Sequence, residues 1–282
     1  MSNQRTHYAT TSDGVTIGGT VHGQGPALVF LQGAVGDGDL DWRSVVEHLT
    51  DRHTCYLPSM RGRGLSGDHP DLGTSRIIED FTTYVDSIGE PAGLVGWSGG
   101  GYFALGVAEM LPDAVTAVAP FEPGILTLMD DAEKAVVGAA IGRTAELAAA
   151  GDLAAAARAF LQWPFTEGDI AGADDAGYIE AAARYVPNLL TMLQQAMAEG
   201  HSAVEDPAAL GTIAAPVLVL RGSETKPFFT MSAQHVVGHV PNAQAREIPG
   251  AGHAAPLTHP KALAGALTEF FSASQQQLIA PS

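Results

Sequence analysis

The pattern that most constrains this chain is the segment GWSGG at positions 96–100, which fits G-x-S-x-G. It follows an apolar run at 92–95 and precedes a helical pattern at 102–108, so the sequence predicts a strand, a sharp turn and a helix in succession. Ser98 on such a turn points out of the sheet, because the flanking glycines leave room where a Cβ would clash as the chain folds back. The N–H of Gly99 then lies at the N-terminus of the helix, where the helix dipole favours negative charge.

Apolar strands alternate with helices on both sides of this turn. The predicted strands are 6–11, 15–21, 27–31, 53–57, 92–95, 115–121, 217–220 and 244–248. The predicted helices are 42–49, 75–88, 102–108, 232–240 and 260–271. Strands that are apolar throughout are typical of a parallel sheet that is buried on both faces. The chain is therefore predicted to be an α/β protein with a mostly parallel central sheet and helices on both faces.

The pattern changes between residues 125 and 213, where no strand is predicted. This part is rich in alanine and helical, and it is interrupted at Gly151, Pro164, Gly172, Pro187 and Gly200. After residue 271 the chain becomes polar, and we expect a flexible tail at 274–282.

The charge balance and the cysteine content limit the partners and the compartment. The 31 acidic and 14 basic residues give a formal net charge of −17, and such a surface repels phosphate backbones and anionic lipids. We therefore expect no nucleic acid and no membrane among the partners. Cys55 is the single cysteine, so no intrachain disulfide can form. The N-terminus leads into no apolar signal segment and no apolar run is long enough to span a bilayer, so we expect a cytoplasmic protein.

The sequence predicts neither a metal site nor a cofactor. The histidines and acids do not fall at zinc-ligand spacings. The dinucleotide pattern G-x-G-x-x-G is absent from the first strand-to-helix loop.

Four motifs follow one another along the chain: QGA at 32–34 with Trp42 downstream, RGRGLS at 61–66, GWSGG at 96–100 and PGAGH at 249–253. With these motifs the chain resembles the α/β-hydrolase superfamily from about Tyr8 to Phe271. The segments resemble, in order, the oxyanion loop, the R-G-x-G-x-S turn, the nucleophile elbow and the histidine loop of that family. The resemblance implies a hydrolase core at 1–124 and 214–273, with a helical cap inserted at 125–213.

The resemblance also implies catalytic roles. Ser98 would be the nucleophile, and His253 the base that takes its proton. His253 lies in a glycine loop after a strand, whereas its nearest rival, His259, immediately precedes a proline at a predicted helix start. The backbone N–H groups of Ala34 and Gly99 would form the oxyanion hole.

The acid of the triad has two candidates. The family usually places an aspartate after the strand at 217–220, but this chain has Thr225 there, with Glu224 one residue earlier. Some members carry the acid after the next strand beyond the nucleophile helix, where this chain has Glu122. A carboxylate buried at that strand end needs a partner, and a catalytic histidine would be one. We favour Glu122 on this analogy and keep Glu224 as the alternative; the acid would orient the imidazole and stabilise its charged form.

Two further residues are candidates for substrate binding, Gln32 in the oxyanion loop and Trp97 beside the serine. Gln32 stands where the family often has histidine. Because the backbone donates in this loop, the exchange would alter only the hydrogen bonds that hold the loop. Arg61 and Arg63 are predicted to tie loops together and not to touch the substrate.

These residues together indicate a cofactor-free serine hydrolase that cleaves a small, mostly apolar carboxylic ester, lactone or thioester through an acyl-enzyme. Its partner would be a small-molecule acyl substrate, and the sequence leaves the oligomeric state undetermined. The same site could instead serve acyl transfer, lactonisation, perhydrolysis or hydrolysis of a C–C bond. Thr225 at the usual acid position motivates a further hypothesis, a ligand-binding protein with little turnover on the same fold.

Overall fold

An eight-stranded sheet forms the centre of the fold. The computed structural model describes residues 5–199 and 203–279. The strands are β1 Arg5–Thr10, β2 Thr16–Gly23, β3 Ala27–Leu31, β4 Thr54–Pro58, β5 Ala92–Trp97, β6 Val115–Phe121, β7 Val217–Gly222 and β8 Ala243–Ile248. They lie in the order β1-β2-β4-β3-β5-β6-β7-β8. β2 pairs antiparallel with β1 and β4, and the other neighbouring pairs are parallel.

Helices connect these strands and cover the sheet, so the predicted α/β class is confirmed. The helices are α1 Gly38–Val46, α2 Thr74–Asp86, α3 Gly99–Met110, α4 Asp131–Ala149, α5 Leu153–Leu161, α6 Glu167–Asp175, α7 Tyr178–Ala182, α8 Val186–Glu199, α9 Pro207–Leu210, α10 Pro227–His239, α11 Ala255–Thr258 and α12 Pro260–Ile279. α1 packs against α11 and α12, and α2 packs against α3. Within the described ranges, no helix has the length and apolar character needed to cross a membrane.

The central strands are buried along almost their whole length. Every residue of β3 and β5 is buried, and in β6 only Thr116 is partly exposed. Successive side chains of a strand face opposite sides of the sheet, so full burial requires cover on both faces. This cover explains why these strands are continuous apolar runs in the sequence.

The parallel arrangement brings distant sequence motifs to one edge of the sheet. β3, β5, β6, β7 and β8 run in the same direction, so the residues that follow them lie at the same edge. The oxyanion-loop motif at 32–34 follows β3, Ser98 follows β5 and Glu122 follows β6. The PGAGH segment at 249–253 follows β8.

Residues 125–213, here called the cap segment, lie between β6 and β7. They hold α4 to α9, and no strand occurs in the described part of this segment. Short 3-10 helices occur at Leu126–Leu128, Ala183–Tyr185 and Ala203–Glu205. α6 contacts α11, and α7 contacts α1, so the cap segment packs against helices that belong to the sheet layers.

Two predicted helix starts are wrong by four residues or more. α1 begins at Gly38 and not at Trp42, because the Asp37 side chain accepts a hydrogen bond from the Leu40 N–H at 2.8 Å and caps the helix there. α10 begins at Pro227 and not at residue 232, since proline suits the first turn of a helix, where its missing N–H is not needed.

The predicted end of the last helix is also wrong. α12 continues to Ile279, past residue 271 and past the core boundary placed at 273. Residues 272–279 contain neither glycine nor proline, so no residue interrupts the helix, and the Ser274 hydroxyl donates to the Phe270 carbonyl at 3.0 Å. The tail expected at 274–282 is therefore helical up to 279. Its last three residues, and the helix break expected at Gly200, lie outside the described residues.

Candidate active site

Ser98 lies on a strained turn between β5 and α3. Its φ of 56° is positive, which costs a non-glycine residue about 1–3 kcal/mol. Backbone hydrogen bonds hold this conformation: the Ser98 N–H donates to the Phe121 carbonyl at 2.9 Å. The Ser98 carbonyl accepts from the N–H groups of Gly101 at 2.9 Å and Gly124 at 3.0 Å. The turn is thus fixed by bonds from both the sheet and the new helix.

Two glycines allow the helix to cross so close to the strands. A Cβ on Gly96 would lie 2.1 Å from the Gly100 carbonyl oxygen, and a Cβ on Gly100 would lie 2.1 Å from the Leu31 carbonyl oxygen. The opposing atoms belong to the backbone and cannot rotate away. The turn therefore requires glycine at both positions.

The structure pairs His253 with Glu122. The Nδ1 atom of the imidazole lies 2.6 Å from Glu122 Oε2, and both side chains are buried, with 2% and 0% of their surface exposed. The second carboxylate oxygen of Glu122 accepts the Gly222 N–H at 2.7 Å. A carboxylate at Nδ1 favours the tautomer that carries its proton there, which leaves Nε2 with a free lone pair.

The alternative acid lies elsewhere. Glu224 is exposed, and its carboxylate contacts the Ser223 hydroxyl at 3.4 Å. Thr225, at the family's usual acid position, has a buried hydroxyl with no hydrogen-bond partner among the described residues. Of the two candidate acids, the structure therefore brings only Glu122 to the histidine.

Contacts of residues next to Ser98 and Glu122 link the serine turn to the histidine loop and to β6. Trp97 donates from its indole N–H to the His253 carbonyl at 2.8 Å, and Ser98 is bonded through its N–H to the residue that precedes Glu122. A Cβ on Gly124 would lie 3.7 Å from Ser98 Oγ. Among residues 5–199 and 203–279, no hydrogen bond joins Ser98 Oγ to the His253 ring.

The two predicted oxyanion donors lie side by side. A Cβ on Gly99 would be 3.8 Å from the Ala34 nitrogen. Neither the Ala34 nor the Gly99 N–H donates to another described residue. Two unpaired N–H groups beside a serine oxygen can bind an oxyanion that develops there.

Comparison with known proteins identifies the family. The sequence model described as the alpha/beta hydrolase family matches residues 21–266. The chain belongs to the alpha/beta hydrolase family. The resemblance proposed from the four motifs is therefore confirmed, and so is the prediction that the protein is an enzyme of this family.

Three relatives illustrate the range of this family. A pimeloyl-[acyl-carrier protein] methyl ester esterase of Xanthomonas campestris pv. campestris is 29% identical over 264 residues, covering 90% of this chain and 98% of that protein. The polyketide synthase ThaQ of Burkholderia thailandensis is 28% identical over 88% of this chain, which spans only 12% of the synthase. The crystal structure of an alpha/beta hydrolase from Sphaerobacter thermophilus matches with a TM-score of 0.74 and 27% identity, covering 94% of this chain and 100% of that one.

In this alpha/beta hydrolase, a buried carboxylate supports the oxyanion loop. Asp41 Oδ2 accepts the Gly33 N–H at 2.7 Å, and Oδ1 accepts the hydroxyl of Tyr178, from the cap segment, at 3.0 Å. Burial raises the pKa of Asp41 to about 7, which the Gly33 N–H bond opposes, and the nearby Asp37 raises it further. The backbone before Ala34 is thus held by a group that titrates near neutral pH.

Two other side chains fix the same loop through its carbonyls. Gln32 is fully buried; its amide donates to the Gly36 carbonyl at 2.5 Å and accepts the Met60 N–H at 2.8 Å. Arg63 donates to the carbonyls of Ala34 at 2.7 Å and Gly36 at 3.0 Å. The Gln32 amide therefore links the loop to the turn after β4.

Arg61 has the structural role predicted for it. Its guanidinium is buried and forms two hydrogen bonds of 2.6 Å to Asp80, and it also contacts Asp13 at 3.0 Å. These contacts tie the turn after β4 to α2 and to the hairpin between β1 and β2.

Aromatic rings surround the imidazole. Phe229, on α10, lies flat against the His253 ring with centroids 3.8 Å apart and planes 14° apart. Phe165, in the cap segment, stacks on Trp97 at 6.2 Å and contacts the imidazole at 6.0 Å. Trp97, a predicted substrate-binding residue, is itself buried between these groups. The walls of the site near the histidine are therefore apolar.

An open groove of about 810 Å³ lies apart from these residues. It runs between the start of α1, residues 62–68 and the pair Arg184 and Tyr185, and none of Ser98, Glu122 and His253 lines it. No group of three or more His, Cys, Asp or Glu side chains within the described ranges is placed to hold a metal ion.

Sequence analysis missed Asp41 and Phe229. Asp41 directly precedes Trp42 of the oxyanion-loop motif, so its place beside that tryptophan was the available signal. Phe229 reaches the imidazole from a helix that begins five residues before the predicted start, and no local pattern marks that contact.

Proposed function

We propose that this alpha/beta hydrolase is a serine hydrolase that cleaves a small, mostly apolar carboxylic ester, lactone or thioester. One observation carries the proposal: the buried Glu122–His253 pair at 2.6 Å, at the sheet edge that also carries the strained Ser98 turn. The apolar rings beside the imidazole support an apolar acyl group. The X. campestris relative is named as a methyl ester esterase, which makes esters the first class to test.

The proposed reaction has two halves. Ser98 Oγ attacks the acyl carbonyl carbon while His253 Nε2 takes the hydroxyl proton, and the oxygen that becomes negative lies against the N–H groups of Ala34 and Gly99. The bond to the leaving alcohol or thiol then breaks, and His253 gives its proton to the departing atom. Water attacks the acyl-enzyme while His253 takes its proton. The bond between the acyl carbon and Ser98 Oγ then breaks, His253 gives the proton to Oγ, and the carboxylic acid leaves. Glu122 keeps the imidazole oriented and stabilises its charged form in both halves.

The nucleophile is tested with Ser98→Ala, assayed on p-nitrophenyl acetate and with a fluorophosphonate label. We expect Ser98→Ala to lose at least about 10³-fold in turnover and all labelling. Ser75→Ala, which removes an exposed hydroxyl on α2, is the control and should keep both. Wild-type turnover in Ser98→Ala would refute the proposal. A labelled wild-type protein that hydrolyses no ester or thioester would point to acyl transfer or another of the alternative reactions, and an unlabelled one to a ligand-binding protein.

The acid is tested by two matched substitutions. Glu122→Gln keeps the shape of the side chain but removes the charge that stabilises the imidazolium, so we expect turnover to fall on the order of 10³-fold. Glu224→Gln, on the exposed neighbouring loop, should stay within about twofold of wild type because exposed side chains contribute little. Equal losses, or a larger loss for Glu224→Gln, would reject Glu122 as the acid.

A further inference from the structure

The cap segment reaches the histidine loop through one carboxylate. Asp169 lies on α6 and is buried. Its Oδ2 atom accepts the backbone N–H of His253 at 3.1 Å, and its Oδ1 atom accepts the N–H of Ala254 at 3.1 Å. Two consecutive backbone donors at the candidate base are therefore paired with one side chain from the cap segment.

The same carboxylate is fixed at the start of its own helix. Asp169 Oδ2 also accepts the N–H and the hydroxyl of Thr166, each at 2.9 Å, and the Thr166 hydroxyl oxygen accepts the Asp169 N–H at 3.1 Å. This capping box holds the side chain in one orientation. Oδ2 is therefore within hydrogen-bond distance of three donors and Oδ1 of one, so both oxygens of the carboxylate have partners.

The fit also explains the glycine before the histidine. A Cβ on Gly252 would lie 2.3 Å from Asp169 Oδ2 and 2.6 Å from Oδ1. The carboxylate can reach the His253 N–H only because residue 252 has no side chain. The glycine in the PGAGH motif and the aspartate in the cap segment are therefore parts of one contact.

We propose that Asp169 is a positioning residue that holds the backbone of the histidine loop, so that the His253 ring stays on Glu122 and within reach of Ser98. The proposal rests on the proposed function. Glu122 holds the ring at Nδ1 and Trp97 holds the carbonyl of the same residue, but neither contact engages its backbone N–H. Asp169 adds a third contact, at the backbone N–H of His253. The three contacts together fix the orientation of the imidazole.

The test compares Asp169→Asn with Glu133→Gln. Asparagine keeps the shape of the side chain but turns a donor toward one of the N–H groups at 253 and 254, so the loop must shift. A displacement of about 1 Å at the base can cost on the order of 10²-fold. We expect that loss in kcat with KM nearly unchanged, and an equal fall in the rate of fluorophosphonate labelling. Glu133 occupies the same capping-box position in α4, where it accepts the Asp130 N–H at 3.2 Å, and Glu133→Gln should stay within about twofold of wild type.

A double-mutant cycle tests the contact itself. Gly252→Ala alone should lower kcat, because the added methyl group displaces the Asp169 carboxylate. In an Asp169→Ala background the same change meets no carboxylate and should cost less than threefold further. Full additivity of the two losses would contradict the proposal. Thermal unfolding of each variant shows that the protein assayed is folded, and the isosteric Asp169→Asn carries the test if Asp169→Ala does not fold.

The two proposals fail in different ways. Wild-type turnover in Ser98→Ala would refute the serine mechanism itself. An inactive Ser98→Ala together with an Asp169→Asn variant that keeps wild-type kcat and labelling rate would leave the serine mechanism standing and overturn the positioning role. A loss in Glu133→Gln equal to that in Asp169→Asn would overturn it too, because the effect would then be that of a lost helix cap.

Discussion

Two residues of this site have strained backbone. Ser98 and Glu122 both have positive φ, 56° and 47°, and they follow neighbouring strands of the sheet. The Glu122 N–H donates to the Leu220 carbonyl at 2.8 Å, so each strained residue is tied to the adjacent strand. Strained backbone persists only where the surrounding structure fixes it, and it concentrates at functional sites.

The raised pKa of Asp41 predicts how the stability of the protein depends on pH. Its pKa is about 7 in the folded protein and about 3.8 in an unfolded chain. Between these values the folded state binds a proton that the unfolded state has released, so the free energy of unfolding falls as pH rises through this window. Above pH 7 the buried Asp41 is ionised in the folded protein as well, and the resulting loss of unfolding free energy is then complete, on the order of 4 kcal/mol.

The test is Asp41→Asn, whose amide can still accept the Gly33 N–H and donate to the Tyr178 hydroxyl oxygen. We expect the variant to lose less stability than wild type between pH 5 and pH 8, measured by urea unfolding at both values. Identical pH dependence in the two proteins would show that Asp41 is not the titrating group.

At the scale of elements, the site depends on how closely α3 crosses the strands. A Cβ added to Gly96 or Gly100 would lie 2.1 Å from a backbone oxygen. The strand–turn–helix unit therefore has no room for a side chain at either position. The sequence pattern around Ser98 was specific for this reason, since the pattern is a steric requirement of the crossing.

Gly96→Ala tests this requirement. Overpacking commonly lowers the free energy of unfolding by about 1–3 kcal/mol. Because the added methyl group would meet rigid backbone, we expect Gly96→Ala to lose at least the upper value of that range. Gly138→Ala is the matched control, because Gly138 lies within α4 with open space around it. That change should stabilise the protein by about 0.5–1 kcal/mol through helix propensity. Denaturant unfolding measures both changes, and a tolerated Gly96→Ala would contradict the close crossing.

For the whole molecule, the cap segment takes part in both loops of the site. Tyr178 bonds to the carboxylate that holds Gly33, and Asp169 bonds to the backbone of His253 and Ala254. The segment therefore packs against the oxyanion side and the histidine side of the site at the same time.

A comparison of Tyr178→Phe with Tyr185→Phe tests whether the cap segment supports the oxyanion loop. The Tyr185 hydroxyl donates to Asp37 at 2.6 Å, so both variants remove a hydroxyl that ties the cap segment to a carboxylate in the first turn of α1 or at its cap. The Tyr185 hydroxyl also accepts the Gly64 N–H at 3.1 Å, so Tyr185→Phe removes one contact more. Each should lose about 1 kcal/mol of unfolding free energy. Only Tyr178→Phe should lower kcat, by roughly fivefold, because Asp41, and not Asp37, accepts the Gly33 N–H beside the candidate oxyanion donor Ala34. Equal kcat values in the two variants would argue that the loop does not need the cap segment.

The sequence by itself determined the sheet class and the serine turn, because these depend on local patterns, and it indicated His253 only through the family resemblance. Apolar runs report burial on both faces, and G-x-S-x-G reports a steric requirement within a few residues. It left Glu122 and Glu224 as rivals, and it gave no sign of Asp169 or Phe229 at the histidine. Tertiary structure alone decided those contacts, because they join residues far apart in the chain. Their distances depend on where β6, α6 and α10 lie relative to the histidine loop, and no local pattern encodes that arrangement.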